Sequence, residues 1–60
     1  MTDFLPGDLV NHVNHPESLG VVVAVQEPVK DVTCIVYILW NRSRLVKIDN
    51  LAMLLDILKV

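Results

Sequence analysis

The longest uninterrupted apolar run in this 60-residue chain is Cys34-Ile35-Val36-Tyr37-Ile38-Leu39-Trp40. A helix that crosses a bilayer needs about 20 such residues. β-Branched and aromatic side chains lose rotamer freedom in a helix and pack well on a pleated surface, so the run predicts a buried strand. Extended back to Val32, it is the longest and most central strand the chain offers. Period-two alternation puts Val32, Cys34, Val36, Ile38 and Trp40 on one face and Thr33, Ile35, Tyr37 and Leu39 on the other. Both faces are largely apolar, and a single small core uses only one of them.

The rest of the chain is punctuated at similar short intervals, which is an all-β pattern. Pro6-Gly7 favours a turn, because proline fixes φ and glycine allows φ > 0, and this turn opens a strand over Asp8 to His12. Val13 to Ser18 predicts a loop with Pro16 in it. The valine-rich segment Leu19 to Gln26, led by Gly20, predicts the second strand, ended by Glu27-Pro28, and Lys30-Asp31 leads into the third. Asn41-Arg42-Ser43 predicts a hairpin turn into Arg44 to Ile48, with Leu45 and Lys47 on one face and Val46 and Ile48 on the other.

The last segment has two readings. Leu51, Leu54, Leu55 and Leu58 fall at i, i+3, i+4 and i+7, a helical stripe with Asp49 or Asn50 as N-cap. A helical turn over Asn50 to Met53 followed by a strand over Leu54 to Leu58 accounts for the same leucines, and is preferred because so short a helix is marginal.

Size adds a further constraint. A chain of 60 residues is near the lower limit for burying enough surface to fold unaided. Cys34 is the only cysteine, so no internal disulfide forms, and His12 and His15 with one thiol do not make a structural zinc site. Oligomerisation is the remaining common remedy. A hydrophobic content of 53% and a mean hydropathy of +0.52 agree with it, since a small domain has much surface and little interior. Ile35, Tyr37 and Leu39, together with Leu55 and Ile57, are the expected contacts between copies. Met1-Thr2-Asp3-Phe4 carries no basic region ahead of an apolar stretch, which predicts an intracellular setting without membrane insertion. In that setting Asn41-Arg42-Ser43, a glycosylation sequon in form, is only a polar turn.

In this order of elements the chain resembles the Src-homology-3-like small barrels, including the Tudor and KOW modules and, less closely, the Sm-like proteins. The matching positions are Gly7-Asp8-Leu9-Val10, Gly20-Val21-Val22, Val36 to Trp40, and Leu51 through Leu55 as closing turn and strand. The resemblance implies a five-stranded all-β barrel with a short helical turn before the last strand. Asp8-Leu9-Val10, Gly20-Val21-Val22-Val23 and Ile38-Leu39-Trp40-Asn41 are also similar to short proteins encoded by tailed phages of marine cyanobacteria. Some proteins of that type look Sm-like and form rings, which implies a homo-oligomer in a host cytoplasm or a virion.

The sequence holds no phosphate-cradling glycine loop and no nucleophile paired with a base, so neither an enzyme nor a cofactor is expected. His12 and His15 read as solvated residues of a polar loop, and Cys34 as a small buried hydrophobe. Trp40 followed by Arg42, Arg44 and Lys47 is the one local group with the character of a binding surface, an aromatic face beside cations that stack a base and hold its phosphate. The formal net charge of −2 argues against a general nucleic-acid binder, whereas a ring would multiply a local patch. Two function classes follow: a non-catalytic module that joins identical copies or a larger protein assembly, and a ring that binds single-stranded RNA or DNA.

Overall fold

A computed structural model describes residues 4–26 and 35–60 of the protein. The elements are β1 (Leu9–His12), β2 (His15–Gln26), β3 (Ile35–Trp40), β4 (Arg44–Ile48), α1 (Leu51–Leu54) and β5 (Ile57–Lys59). The strands form one antiparallel sheet in the order β4-β3-β2-β1-β5. The chain is thus nearly all-β, as expected. The expected closed barrel is not what the sheet forms: β4 and β5 are its two edges and share no ladder of hydrogen bonds. Val32, Thr33 and Cys34, assigned to the third strand from sequence, lie outside the described residues, as do Glu27-Pro28 and Lys30-Asp31.

The first turn follows from its residues. Gly7 has φ +96°, the sequence Pro6-Gly7 is that of a type II turn, and the Asp8 N–H donates to the Leu5 carbonyl at 3.1 Å. The Asp8 carboxylate accepts the Leu5 N–H at 2.9 Å and lies 3.5 Å from the Lys59 ammonium, tying the turn to the C-terminal strand.

The long loop expected after the first strand is instead a tight hairpin. His12 pairs with His15 across Val13-Asn14, and β2 begins four residues earlier than the valine run suggests. Two bonds hold this turn: the Asn14 N–H donates to His12 Nδ1 at 3.0 Å, and the Val13 N–H to the Asp56 carbonyl at 2.9 Å. Pro16 is tolerated because the β2–β3 ladder starts only at Gly20, so the proline displaces no bond on that side. The β1–β2 register shifts between Val10 and His12 to accommodate the extra β2 residues.

The β2–β3 ladder shifts once more between Val22 and Ala24, so the exposed Val23 is an extra residue. Beyond it Val25, not Ala24, faces inward. The core consists of Val10, Val22, Val36, Ile38, Ile48 and Ile57, with Phe4, Val25, Trp40, Val46 and Leu54 packed against it. The predicted alternation holds in β3, where Val36 and Ile38 are fully buried, and in β4, where Val46 and Ile48 turn in while Leu45 and Lys47 turn out.

Asn41 (φ 51°) and Arg42 (φ 67°) are both left-handed, as a tight hairpin with right-handed strand twist requires, and the Ser43 N–H closes the turn on the Trp40 carbonyl at 3.0 Å. Asparagine visits this region readily, whereas Arg42 is strained there by roughly 1 kcal/mol.

At the C-terminal end the preferred reading, turn then strand, holds with shifted bounds. Asn50 caps α1 by accepting the Ala52 N–H at 2.8 Å. The coil then continues through Leu55 N–H to the Leu51 carbonyl and Asp56 N–H to the Met53 carbonyl, so the strand starts at Ile57 and not at Leu54. Of the leucine stripe only Leu54 packs on the core, and Leu51, Leu55 and Leu58 are exposed. Ile57, expected at a contact between copies, is 5% exposed and belongs to the core.

Candidate functional site

Cross-strand register divides the predicted group of Trp40, Arg42, Arg44 and Lys47 between two surfaces. Trp40 pairs with Arg44 on one side and Gly20 on the other, so all three share the face that carries the core. Lys47 pairs with Tyr37 on the opposite face and lies 3.9 Å from the Asp49 carboxylate. Arg42, at the hairpin tip, lines a shallow depression of about 190 Å³ with Leu9, Leu19, Val21 and Leu39, also on that opposite face.

Trp40 owes its place to Gly20. A Cβ on Gly20 would meet Ile38 Cγ2 at 2.7 Å and Trp40 Cε3 and Cζ3 at 2.8 and 2.9 Å, so the indole lies directly on the glycine backbone. The half-buried ring forms part of a solvent-open groove of about 580 Å³, within the usual size of a small-ligand site. The β3–β4 hairpin supplies Trp40, Asn41, Ser43 and Arg44 to it; the β1–β2 hairpin supplies His12, Asn14, His15 and Ser18. Met53 and Asp56 come from α1 and the turn after it, and Val46, Ile48 and Ile57 from the adjoining core.

The polar groups of the groove are differently committed. Because His12 Nδ1 accepts the Asn14 N–H, neutral His12 carries its proton on Nε2 and offers that nitrogen as a donor. The His15 ring lies 5.5 Å from that of His12, and its Nδ1 is 3.6 Å from the Glu17 carboxylate. Asn41 is held by β2, its Oδ1 accepting the Leu19 N–H at 3.3 Å. Arg44 is exposed and has no ion-pair partner among the described residues. The histidines, read from sequence as loop residues, line the same groove as Trp40, and pair with each other because the turn between them is only two residues long. The signal was their spacing, since residues flanking a two-residue turn are cross-strand neighbours. Among the described residues no three His, Cys, Asp or Glu side chains gather as metal ligands, and no helix is long and apolar enough to cross a membrane.

No family model, curated protein or solved structure matches this chain. The opposite face of the sheet has a different character from the groove. Leu45, Leu39, Val21 and Leu9 oppose one another in succession across β4, β3, β2 and β1, and the Val60 N–H bonds to the Leu9 carbonyl at the end of the row. Leu45 is 61% exposed, and Leu9 and Leu19 are about half exposed. Ile35 and Tyr37 lie half-buried on the same face, with the Tyr37 hydroxyl donating to Gln26 Oε1 at 3.3 Å, and Leu55 is exposed on the turn after α1.

Proposed function

We propose that the protein is a non-catalytic assembly module of the Src-homology-3-like or Sm-like type, which joins copies of itself through the outer face of its sheet. The observation that carries this reading is the aliphatic row from Leu45 through Leu39 and Val21 to Leu9. It is a continuous apolar band on the face that the protein's own core leaves unused, and contiguous exposed apolar surface marks interaction sites. Support for the barrel type comes from the strand order, in which the last strand returns beside the first after one helical turn.

The sheet edges are poorer candidates for association. β4 carries Arg44 and Lys47, and β5 has only three residues, ending in Lys59; charge and shortness both discourage strand addition. Association through this one face pairs two copies, or joins a copy to a larger assembly, in a host cytoplasm or a virion.

Light scattering at micromolar concentration tests the proposal. The wild type is expected to exceed the 6.8 kDa of one chain, and Leu45→Glu to reduce it to that mass. Because Leu45 is 61% exposed, the charge alters the fold's stability by only about 0.5 kcal/mol. A wild type that stays a single chain under these conditions would end this reading.

A further inference from the structure

We propose that the groove between the two hairpins binds a nucleotide, with the base against Trp40 and the phosphate on Arg44, whether the nucleotide is free or is one residue of a single strand. Trp40 and Arg44 are direct cross-strand neighbours on the face that carries the groove, so an aromatic ring and a guanidinium-bearing side chain leave one ladder from paired positions. Base stacking on an aromatic ring is indifferent to sequence, and a guanidinium matches the oxygens of a phosphate in two parallel bonds. Arg44 has no carboxylate to neutralise it among the described residues. His12, brought to the lining by the other hairpin, keeps Nε2–H as a donor because its Nδ1 accepts the Asn14 N–H.

Two alternatives fit the groove less well. Arg44 and Asp56 give the lining one charge of each sign, and among the described residues Trp40 is its only tryptophan, phenylalanine or tyrosine, so no aromatic cage surrounds a cation. A long polyanion is disfavoured by the net charge of −2 and by the separation of Arg42 and Lys47 onto the other face. A single nucleotide needs only the one cation that the groove supplies.

The chain has one tryptophan, so its fluorescence reports on this site directly. Adenosine 5′-monophosphate, adenosine, a short single-stranded oligonucleotide and a short polyglutamate peptide are each titrated at low salt. Adenosine 5′-monophosphate, the oligonucleotide or both are expected to quench Trp40, and adenosine to bind about tenfold more weakly than its phosphate. Quenching by the free nucleotide identifies a nucleotide site; quenching by the oligonucleotide alone identifies a single-strand site with the same contacts. Arg44→Ala is expected to weaken binding about tenfold and Arg42→Ala by less than about twofold. Absence of quenching by any nucleotide, equal binding of adenosine or polyglutamate, or equal loss from the two arginine variants overturns the assignment. Repeating the titration on Leu45→Glu keeps this outcome separate from that of the assembly proposal.

Discussion

Replacing Gly20 by alanine tests how Trp40 comes to lie in the groove. The new Cβ would stand 2.7 Å from Ile38 Cγ2 and 2.8 and 2.9 Å from two indole carbons, all closer than van der Waals contact allows. Ile38 is fully buried and has no free direction in which to yield, whereas the half-buried Trp40 can move only outward into the groove. Overpacking of this kind costs about 1–3 kcal/mol. Alanine recovers about 0.4–1 kcal/mol by restricting the unfolded chain. The net is a destabilisation of about 1 kcal/mol, within a range of about 0–2.6 kcal/mol, and a domain this small loses about 4–8 °C in Tm per kcal/mol. Gly7→Ala is the control: beyond its chain neighbours no atom lies within 4 Å of its Cβ, and the cost comes only from φ +96°, about 1–2 kcal/mol before the same gain from the unfolded chain. The two variants should lose similar stability, but only Gly20→Ala should shift the emission maximum of Trp40. A Gly20→Ala protein with wild-type melting and unchanged emission would refute the packing argument.

Three further substitutions probe the turns and the C-terminal strand. Arg42→Gly relieves roughly 1 kcal/mol of left-handed strain and frees the unfolded chain by about 0.4–1 kcal/mol, so stability should rise by less than about 0.6 kcal/mol in urea titration; a loss of about 1 kcal/mol or more would mean that the Arg42 side chain contributes more than its backbone strain costs. Asn50→Ala removes the cap of α1 and should cost about 1 kcal/mol, with faster amide exchange in β5 than in β3. Leu55→Glu should change stability by less than about 0.5 kcal/mol while Ile57→Ala costs about 2–4 kcal/mol, since Leu55 is 72% exposed and Ile57 is in the core. The reverse order in thermal melts would return the leucines to a helical stripe facing inward.

Features governed by a fixed period were legible in the sequence, and features governed by pairing were not. Val36 and Ile38 against Tyr37 and Leu39, and Val46 and Ile48 against Leu45 and Lys47, follow from alternation alone, and they are placed as alternation requires. Pro16 misled because a proline inside a strand is acceptable wherever one side lacks a partner, and that depends on where β3 ends. Ile57 was assigned outward because the length of the preceding turn sets its phase, and the Asp56 N–H bond to Met53 extends that turn. The group of Trp40, Arg42, Arg44 and Lys47 looked local because its members are near in sequence. Along a twisted hairpin such nearness decides little, for the turn throws Arg42 to one surface while the ladder holds Arg44 beside Trp40. The two histidines were obscured for the converse reason, since their spacing makes them cross-strand neighbours only if Val13-Asn14 is a two-residue turn, which the folded sheet defines.

The bulge at Val23 separates two instructions that a regular strand would carry together. Removing this residue would leave Val22 opposite Ile38 and Ala24 opposite Tyr37, and every later pair would also be kept. What would go is the local bend that an extra residue imposes on its strand. Which side chains meet and how far the sheet curls are thus encoded at different positions. A chain shortened by one residue at Val23 would keep its core partners and present a flatter sheet, with the walls of the groove set further apart.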